Sequence, residues 1–220
     1  MELDLDPIVR DIVQTMQSHL ISAGIRIREG SSSSVQLADL ITAASASGIH
    51  RIVEVGFHAG LSSYAFLEAN LNVSVTSFDL GFHKCVTPAK ELIDRKFPGR
   101  HELVIGDSAI TLPEYRRSGL QGMFDLAFID GGHHLEEARS DIENIARMCK
   151  RGATVIVDDI LPDHFWGKGP SQAWEEKVQA GVVLELARRS SEPSGDVLSA
   201  MWPRLGNHPL PRCWVIGTLL

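Results

Sequence analysis

Five short apolar runs alternating with helical stretches, each closing on a carboxylate, constrain this chain more than anything else in it. The runs are Arg51–Val55, Val73–Phe78, His101–Ile105, Phe124–Ile129 and Ala153–Val157. Between them, Gly60–Ala69, Pro88–Phe97, Ile110–Tyr115 and Leu135–Cys149 carry helical spacing. Strand–helix alternation of this kind predicts an α/β fold, an open and mostly parallel doubly wound sheet. Ala153–Val157 is nearly all apolar, as a strand covered on both faces should be. Towards the C-terminus, Ser171–Gln179 reads as a helix and Val182–Leu186 and Cys213–Leu219 as strands. The Ser-, Pro- and Gly-rich stretch Ser190–Pro211 joins those two strands, which predicts an antiparallel pair at the sheet edge and a total of seven strands. Ahead of the sheet, residues 5–22 have the helical rhythm Ile8, Ile12, Met16, Leu20, Ile21. Ser31–Ser34 interrupts it, and a second helix runs from Val35 to Ala46, stopped by Gly48. The division expected is therefore an N-terminal helical segment, 1–34, acting as a lid or lying on the acceptor side, and one domain over 35–220.

Composition narrows the partners. The 220 residues carry 28 acidic and 21 basic side chains, a formal charge of −7. With so little basic field to gather counterion-release energy, nucleic acid is not the expected partner. Cys85, Cys149 and Cys213 are widely spaced and form neither a disulfide framework nor a paired zinc motif, which suits a reducing compartment. The first residues, MELDLDPIVRDIV, are acidic where a secretory signal is basic, and no apolar run approaches membrane-spanning length. The expectation is a cytoplasmic protein without membrane attachment, acting on a small molecule, as a monomer or a homo-oligomer.

Ligands of open α/β sheets bind outside the carboxyl ends of the strands, where strand order switches. Those ends hold Glu54 with Gly56-Phe57-His58-Ala59-Gly60, Asp79, Gly106-Asp107-Ser108, Asp130-Gly131-Gly132-His133-His134 and Asp158-Asp159. Gly56 and Gly60 allow the backbone to approach a ligand closely. The turn departs from the dinucleotide fingerprint, because His58 stands where the second glycine belongs. His58 and the acidic Glu54 disfavour a phosphate; His58 is also able to stack on or hydrogen-bond a nucleoside. Asp79 can accept both hydroxyls of a ribose, and Asp107 and Ser108 can meet the edge of a base. Ribose, base and a positively charged remainder together describe S-adenosylmethionine. The plainer roles are a solvated strand-end acid for Asp79 and a helix cap for the Asp107-Ser108 pair.

Asp130, Asp158 and Asp159 lie at the ends of strands expected to be neighbours. Carboxylates sharing one pocket repel unless a cation or protons neutralise them. Mg²⁺, or Mn²⁺, takes oxygen ligands and retains some water, leaving room for substrate oxygens. His133 has an imidazole able to remove a hydroxyl proton near neutral pH, but a ligand or cap role is open to it and to His134.

Taken in order, the motifs Glu54-Val55-Gly56-Phe57-His58-Ala59-Gly60-Leu61-Ser62, Phe78-Asp79, Gly106-Asp107-Ser108, Phe128-Ile129-Asp130-Gly131-Gly132-His133 and Val157-Asp158-Asp159 resemble the class I S-adenosylmethionine-dependent methyltransferases. The likeness covers about residues 35–160 and is to the small metal-dependent O-methyltransferases of catechol and caffeoyl-CoA type. It is nearer still to the branch that methylates sugar or polyketide hydroxyls in natural-product pathways. The resemblance implies the Rossmann-like methyltransferase fold with an antiparallel last strand. It places Glu54 and Gly56 under the methionine portion, Ser62 and His58 near its carboxylate and amino group, Asp79 on the ribose and Ser108 beside the adenine. It makes Asp130, Asp158 and Asp159 the metal ligands, with Asp130 also close to the cofactor. Asp159 matches the sugar branch, since the catechol branch has Asn there. Gly132 stands where the sugar branch often has a second Asp used as base, and His133 where the catechol branch has Lys, so His133 is the base candidate beside Asp130. Three other readings compete: a metal-independent methyltransferase, an NAD(P)-dependent oxidoreductase, which His58 opposes, and a non-catalytic domain, which the retained acids oppose. Phe165, Trp166, Trp174 and Trp202 offer apolar walls for an acceptor, at least two of them being expected as packed core instead, and Arg26 and Arg28 leave room for an acidic acceptor.

Overall fold

A computed structural model describes residues 6–26, 32–119, 122–191 and 211–220. They form α1 (Asp6–Ser22), α2 (Ser34–Ala44), β1 (Arg51–Val55), α3 (Leu61–Ala69), β2 (Ser74–Asp79), α4 (Val86–Lys96), β3 (His101–Ile105), α5 (Ser108–Arg117), β4 (Phe124–Ile129), α6 (Leu135–Met148), β5 (Cys149–Val157), α7 (Lys168–Gln179), β6 (Val183–Ser191) and β7 (Arg212–Leu219). The seven strands make one sheet in the order β3-β2-β1-β4-β5-β7-β6. β1 to β5 pair in parallel, while β7 runs antiparallel to both its neighbours, β5 and β6. Strand order reverses between β1 and β4, so the ligand crevice of this topology lies at their carboxyl ends.

Alternation along the strands sorts their side chains onto two faces. Ile52, Leu126, Phe128 and Ile156 join a core with α1, α2, α3 and α4, and Val53, Val55, Ala127, Val155 and Val157 join one with α5, α6 and α7. Every residue of β4, the strand at the middle of the sheet, is buried. The expected N-terminal segment contributes α1, whose Val9, Ile12, Val13, Met16 and Leu20 are seated in the same core as α2 and α3. Trp174 of α7, expected as an acceptor wall, is instead core: it is fully buried and its Nε1–H donates to Glu185 at 2.7 Å. Trp202, Arg28 and nearly all of the Ser190–Pro211 excursion lie outside the described residues.

Several elements extend beyond their sequence patterns. β5 starts at Cys149, and a register shift against β4 between Phe124 and Leu126 absorbs its polar Lys150-Arg151-Gly152 opening. β6 continues to Ser191 through a shift at Glu185/Ala187, which breaks the alternation that would reveal it. α5 begins at Ser108 because Asp107 accepts the Ala109 N–H at 2.9 Å as N-cap. Among the described residues, no helix is long and apolar enough to cross a membrane.

Candidate active site

The turn after β1 is built on left-handed backbone at Gly56 (φ 93°), His58 (φ 45°) and Gly60 (φ 69°). A Cβ at Gly56 would overlap the backbone carbonyl oxygen of Asp130, so the turn packs directly on the exit of β4. His58 holds an uncommon conformation for a non-glycine residue, and Asp79 accounts for it. Asp79 Oδ2 accepts the N–H groups of Phe57 (2.9 Å) and His58 (2.8 Å), and Oδ1 accepts that of Gly81 (2.7 Å). The acid at the end of β2 thus holds the turn after β1. A carboxylate offers about four acceptor positions, so Asp79 retains capacity towards a ribose. The His58 ring meets His83 edge-on with centroids 4.7 Å apart.

Glu54 lies one layer deeper than its strand-end position suggests. It is wholly buried and accepts hydroxyl hydrogen bonds from Ser62, Ser63 and Ser77, the last at 2.6 Å. Burial pushes its carboxyl up, against the pull of those three hydroxyls. Ser62 is therefore directed at Glu54 from the first turn of α3, and both act from beneath the turn. Asp107 is exposed and occupied in capping α5, and Ser108 is the first residue of that helix. Behind them Asp141 of α6 is buried, and that burial pushes its carboxyl up to about 6, with Ser108 and the Gly132 amide opposing the rise.

At the carboxyl ends of β4 and β5, a small open cleft is lined by Asp130, Gly132, His133, Asp158, Asp159 and Pro170, among others. Asp130, His133 and Asp159 present donor atoms that all lie within 4.8 Å of one another. His133 Nε2 stands 3.0 Å from Asp159 Oδ2, and that contact raises the imidazole's basicity. Asp159 itself has φ 58° and adjoins Asp158, whose Oδ1 accepts the Asp159 N–H at 2.8 Å. Asp158 is only 3% exposed. Burial and then the charge of Asp159 push it up to about 6, with Arg212 and Gln36 opposing. Asp130 is raised well above the ordinary carboxylate range by burial and by Asp158 and Asp159. So the structure brings all three acids and His133 to one cleft, with Asp158 innermost. His134 takes the cap role: it is the N-cap of α6, and its N–H is accepted by Glu137 at 3.3 Å. Glu137 also explains Gly132, since a Cβ there would collide with the Glu137 side chain.

The loop after Asp159 coils tightly beside the cleft. The Leu161 N–H donates to Asp159 O at 2.8 Å, and the Gly167 position abuts the Asp159 carbonyl. From this loop Phe165 projects 89% exposed, edge-on to Trp166 with ring centroids 5.1 Å apart. Four residues of the site had not been singled out from the sequence: Gln36, Glu137, Asp141 and Arg212. Gln36 carried a signal, a polar side chain on the apolar α2 stripe with Leu37, Leu40 and Ile41.

A sheet whose order reverses between β1 and β4, with a glycine turn there gripped by the acid of β2, is the framework that the likeness to class I S-adenosylmethionine-dependent methyltransferases leads one to expect. Residues 53–160 match the family described as "Methyltransferase domain". Solved structures share the whole fold. The cofactor-bound Rv0187 from MTB superposes with a TM-score of 0.74 at 19% identity, covering 95% of this chain and 89% of that one. The O-methyltransferase from Bacillus cereus in complex with SAH gives 0.72 at 15% identity, covering 96% and 90%. TomG, an O-methyltransferase from Streptomyces achromogenes involved in tomaymycin synthesis and crystallised with SAM, gives 0.70 at 16% identity, covering 94% and 89%. At these identities the likeness is one of fold.

Proposed function

We propose that the protein is an O-methyltransferase that moves the methyl group of S-adenosylmethionine to a hydroxyl of a small molecule, with a divalent cation, Mg²⁺ or Mn²⁺, at Asp130, Asp158 and Asp159. The observation that carries this reading is the gathering of Asp130 and Asp159 with His133, their donor atoms within 4.8 Å of one another, in a cleft that Asp158 also lines beside the β1 turn. The donor set suits a hard cation. Asp130 and Asp158 are both pushed up by burial and by neighbouring acids, and Asp158 Oδ2 is buried without a hydrogen-bond partner among the described residues. A cation there would relieve both conditions. When bound, it supplies positive charge that acidifies the acceptor hydroxyl.

The chain's own residues do the rest. The Gly56–Gly60 turn, held by Asp79, would hold S-adenosylmethionine beside the cleft. Phe165 and Trp166 flank the acceptor with apolar surface. Asp159 orients His133 and strengthens it as the base that would take the proton of the acceptor hydroxyl; S-adenosylmethionine, when bound, would supply the methyl group and keep the C–S electron pair on its sulfur. Because this is a direct displacement, holding the line of attack is the main catalytic task.

The test is methyl transfer from labelled S-adenosylmethionine to a panel of catechols and sugar hydroxyls. Excess EDTA should abolish turnover and added Mg²⁺ or Mn²⁺ restore it. Asp159→Asn should raise the metal concentration required about 10–100-fold while leaving cofactor affinity nearly unchanged. Full activity in excess EDTA would replace this mechanism with a metal-independent one.

A further inference from the structure

α2 opens on Ser33, whose Oγ accepts the Gln36 N–H at 3.1 Å. A glutamine three residues after a capping serine ordinarily returns its side chain to the cap's own N–H. Gln36 does otherwise. Its side chain is completely buried, and neither Nε2 nor Oε1 makes a hydrogen bond of good geometry among the described residues. Buried polar groups left this way are rare enough in native proteins to call for a reason.

The reason lies opposite. Asp158 is also buried; its Oδ1 is engaged by the Asp159 N–H, and its Oδ2 has no partner among the described residues. The Gln36 amide lies beside Asp158 without closing a well-formed hydrogen bond to it. The approach is set by tertiary packing. Asp39, one turn further along α2, accepts the Trp214 Nε1–H at 3.0 Å. Trp214 precedes Val215, which pairs with Val157, the residue before Asp158. α2 is thereby pinned over the end of β5 with Gln36 facing the innermost acid of the cleft.

We propose that Gln36 is a positioning residue for Asp158, orienting the innermost carboxylate of the cleft towards a divalent cation at the expense of the apoprotein's own hydrogen bonding. This rests on the metal-dependent reading above. Partners that orient a ligand from behind are worth about 10–100-fold in metal affinity. A purely structural amide would have its hydrogen bonds satisfied and would make no difference to the ion.

The experiment titrates the 220-residue chain, freed of metal, with Mn²⁺ alone, followed by calorimetry and by the Mn²⁺ resonance signal. The proteins compared are the parent, Gln36→Met, which keeps volume and removes the amide, and Gln36→Asn, which keeps the amide and withdraws it by one methylene. The parent should bind one Mn²⁺, and both variants should bind it about 10–100-fold more weakly, with S-adenosylhomocysteine affinity within about twofold of the parent. Metal-free Gln36→Met should melt at or above the parent's temperature, since an orphaned buried amide has been removed. Mn²⁺ affinity within twofold of the parent in both variants overturns the role of Gln36 and leaves the metal reading standing. A parallel loss of S-adenosylhomocysteine affinity overturns it too, as a general collapse of the site. Absence of Mn²⁺ binding in the parent overturns the metal reading and this inference with it. If Gln36→Met does not fold, Gln36→Asn decides the matter alone.

Discussion

His101, at the start of β3, has Nε2 3.0 Å from the Ser77 hydroxyl and its ring stacked on Phe57 with centroids 5.1 Å apart. It belongs to the polar layer of Glu54, Ser63 and Ser77 beneath the turn after β1. Burial, helped by Lys90, lowers its pKa to about 3, so the folded protein keeps this imidazole neutral. In the unfolded chain it titrates near 6.5. Between those values the unfolded state binds the extra proton, so stability rises with pH across this window and is lost as pH falls below about 6.5. The slope from one such group approaches 1.4 kcal/mol per pH unit, or about 2 kcal/mol between pH 6.5 and 5. Urea unfolding of the parent and His101→Gln over that range should show the difference between the two proteins shrinking as pH falls. Carboxylates common to both, Glu54, Asp141 and Asp158 among them, cancel in that difference. A constant gap would show that His101 is not kept neutral by the fold.

Among the elements, the turn between β1 and α3 has the tightest requirement. Gly56 combines φ 93° with the backbone of Asp130 where a Cβ would go, and neither can yield without parting β1 from β4. Gly56→Ala should therefore destabilise by about 3–5 kcal/mol, at the upper end of single substitutions. The urea midpoint should drop with little change in slope, and S-adenosylhomocysteine binding should fall with it. A glycine-bearing strand-to-helix turn was plain in the sequence. That its first glycine is compulsory was not, because the obstacle is a carbonyl on the next strand but two. The same applies at Gly132: the sequence displayed a departure from a family pattern, and only the fold showed Glu137 filling the space.

For the molecule as a whole, the cofactor should behave as a structural ligand of the switch-point crevice. A ligand at about 100 times its Kd stabilises by about 2.7 kcal/mol. For a chain of this size that corresponds to a rise of about 5–10 °C in the melting temperature. S-adenosylhomocysteine should give this shift and NAD(P) none; a shift of equal size with NAD(P) would revive the oxidoreductase reading that His58 opposes. α1 should melt together with the rest, since its apolar face shares the core of α2, α3 and α4.

Local patterns in the chain were enough for the class of fold, for a candidate site at the strand ends and for the residue types gathered there. These are local properties: the period of apolar residues marks an element, and an acid after a strand is carried to the sheet's carboxyl edge whatever the rest of the chain does. Tertiary structure alone decided what those residues do to one another. It turned Glu54 and Ser62 inward to a buried serine layer, made Asp79 the holder of a neighbouring turn, and set Asp158 innermost among the acids. It brought Gln36 to Asp158 through a contact between Asp39 and Trp214, residues 175 apart in sequence. No local pattern encodes such a meeting, because it depends on how helices settle against a twisted sheet and on which polar groups remain unpaired when they do.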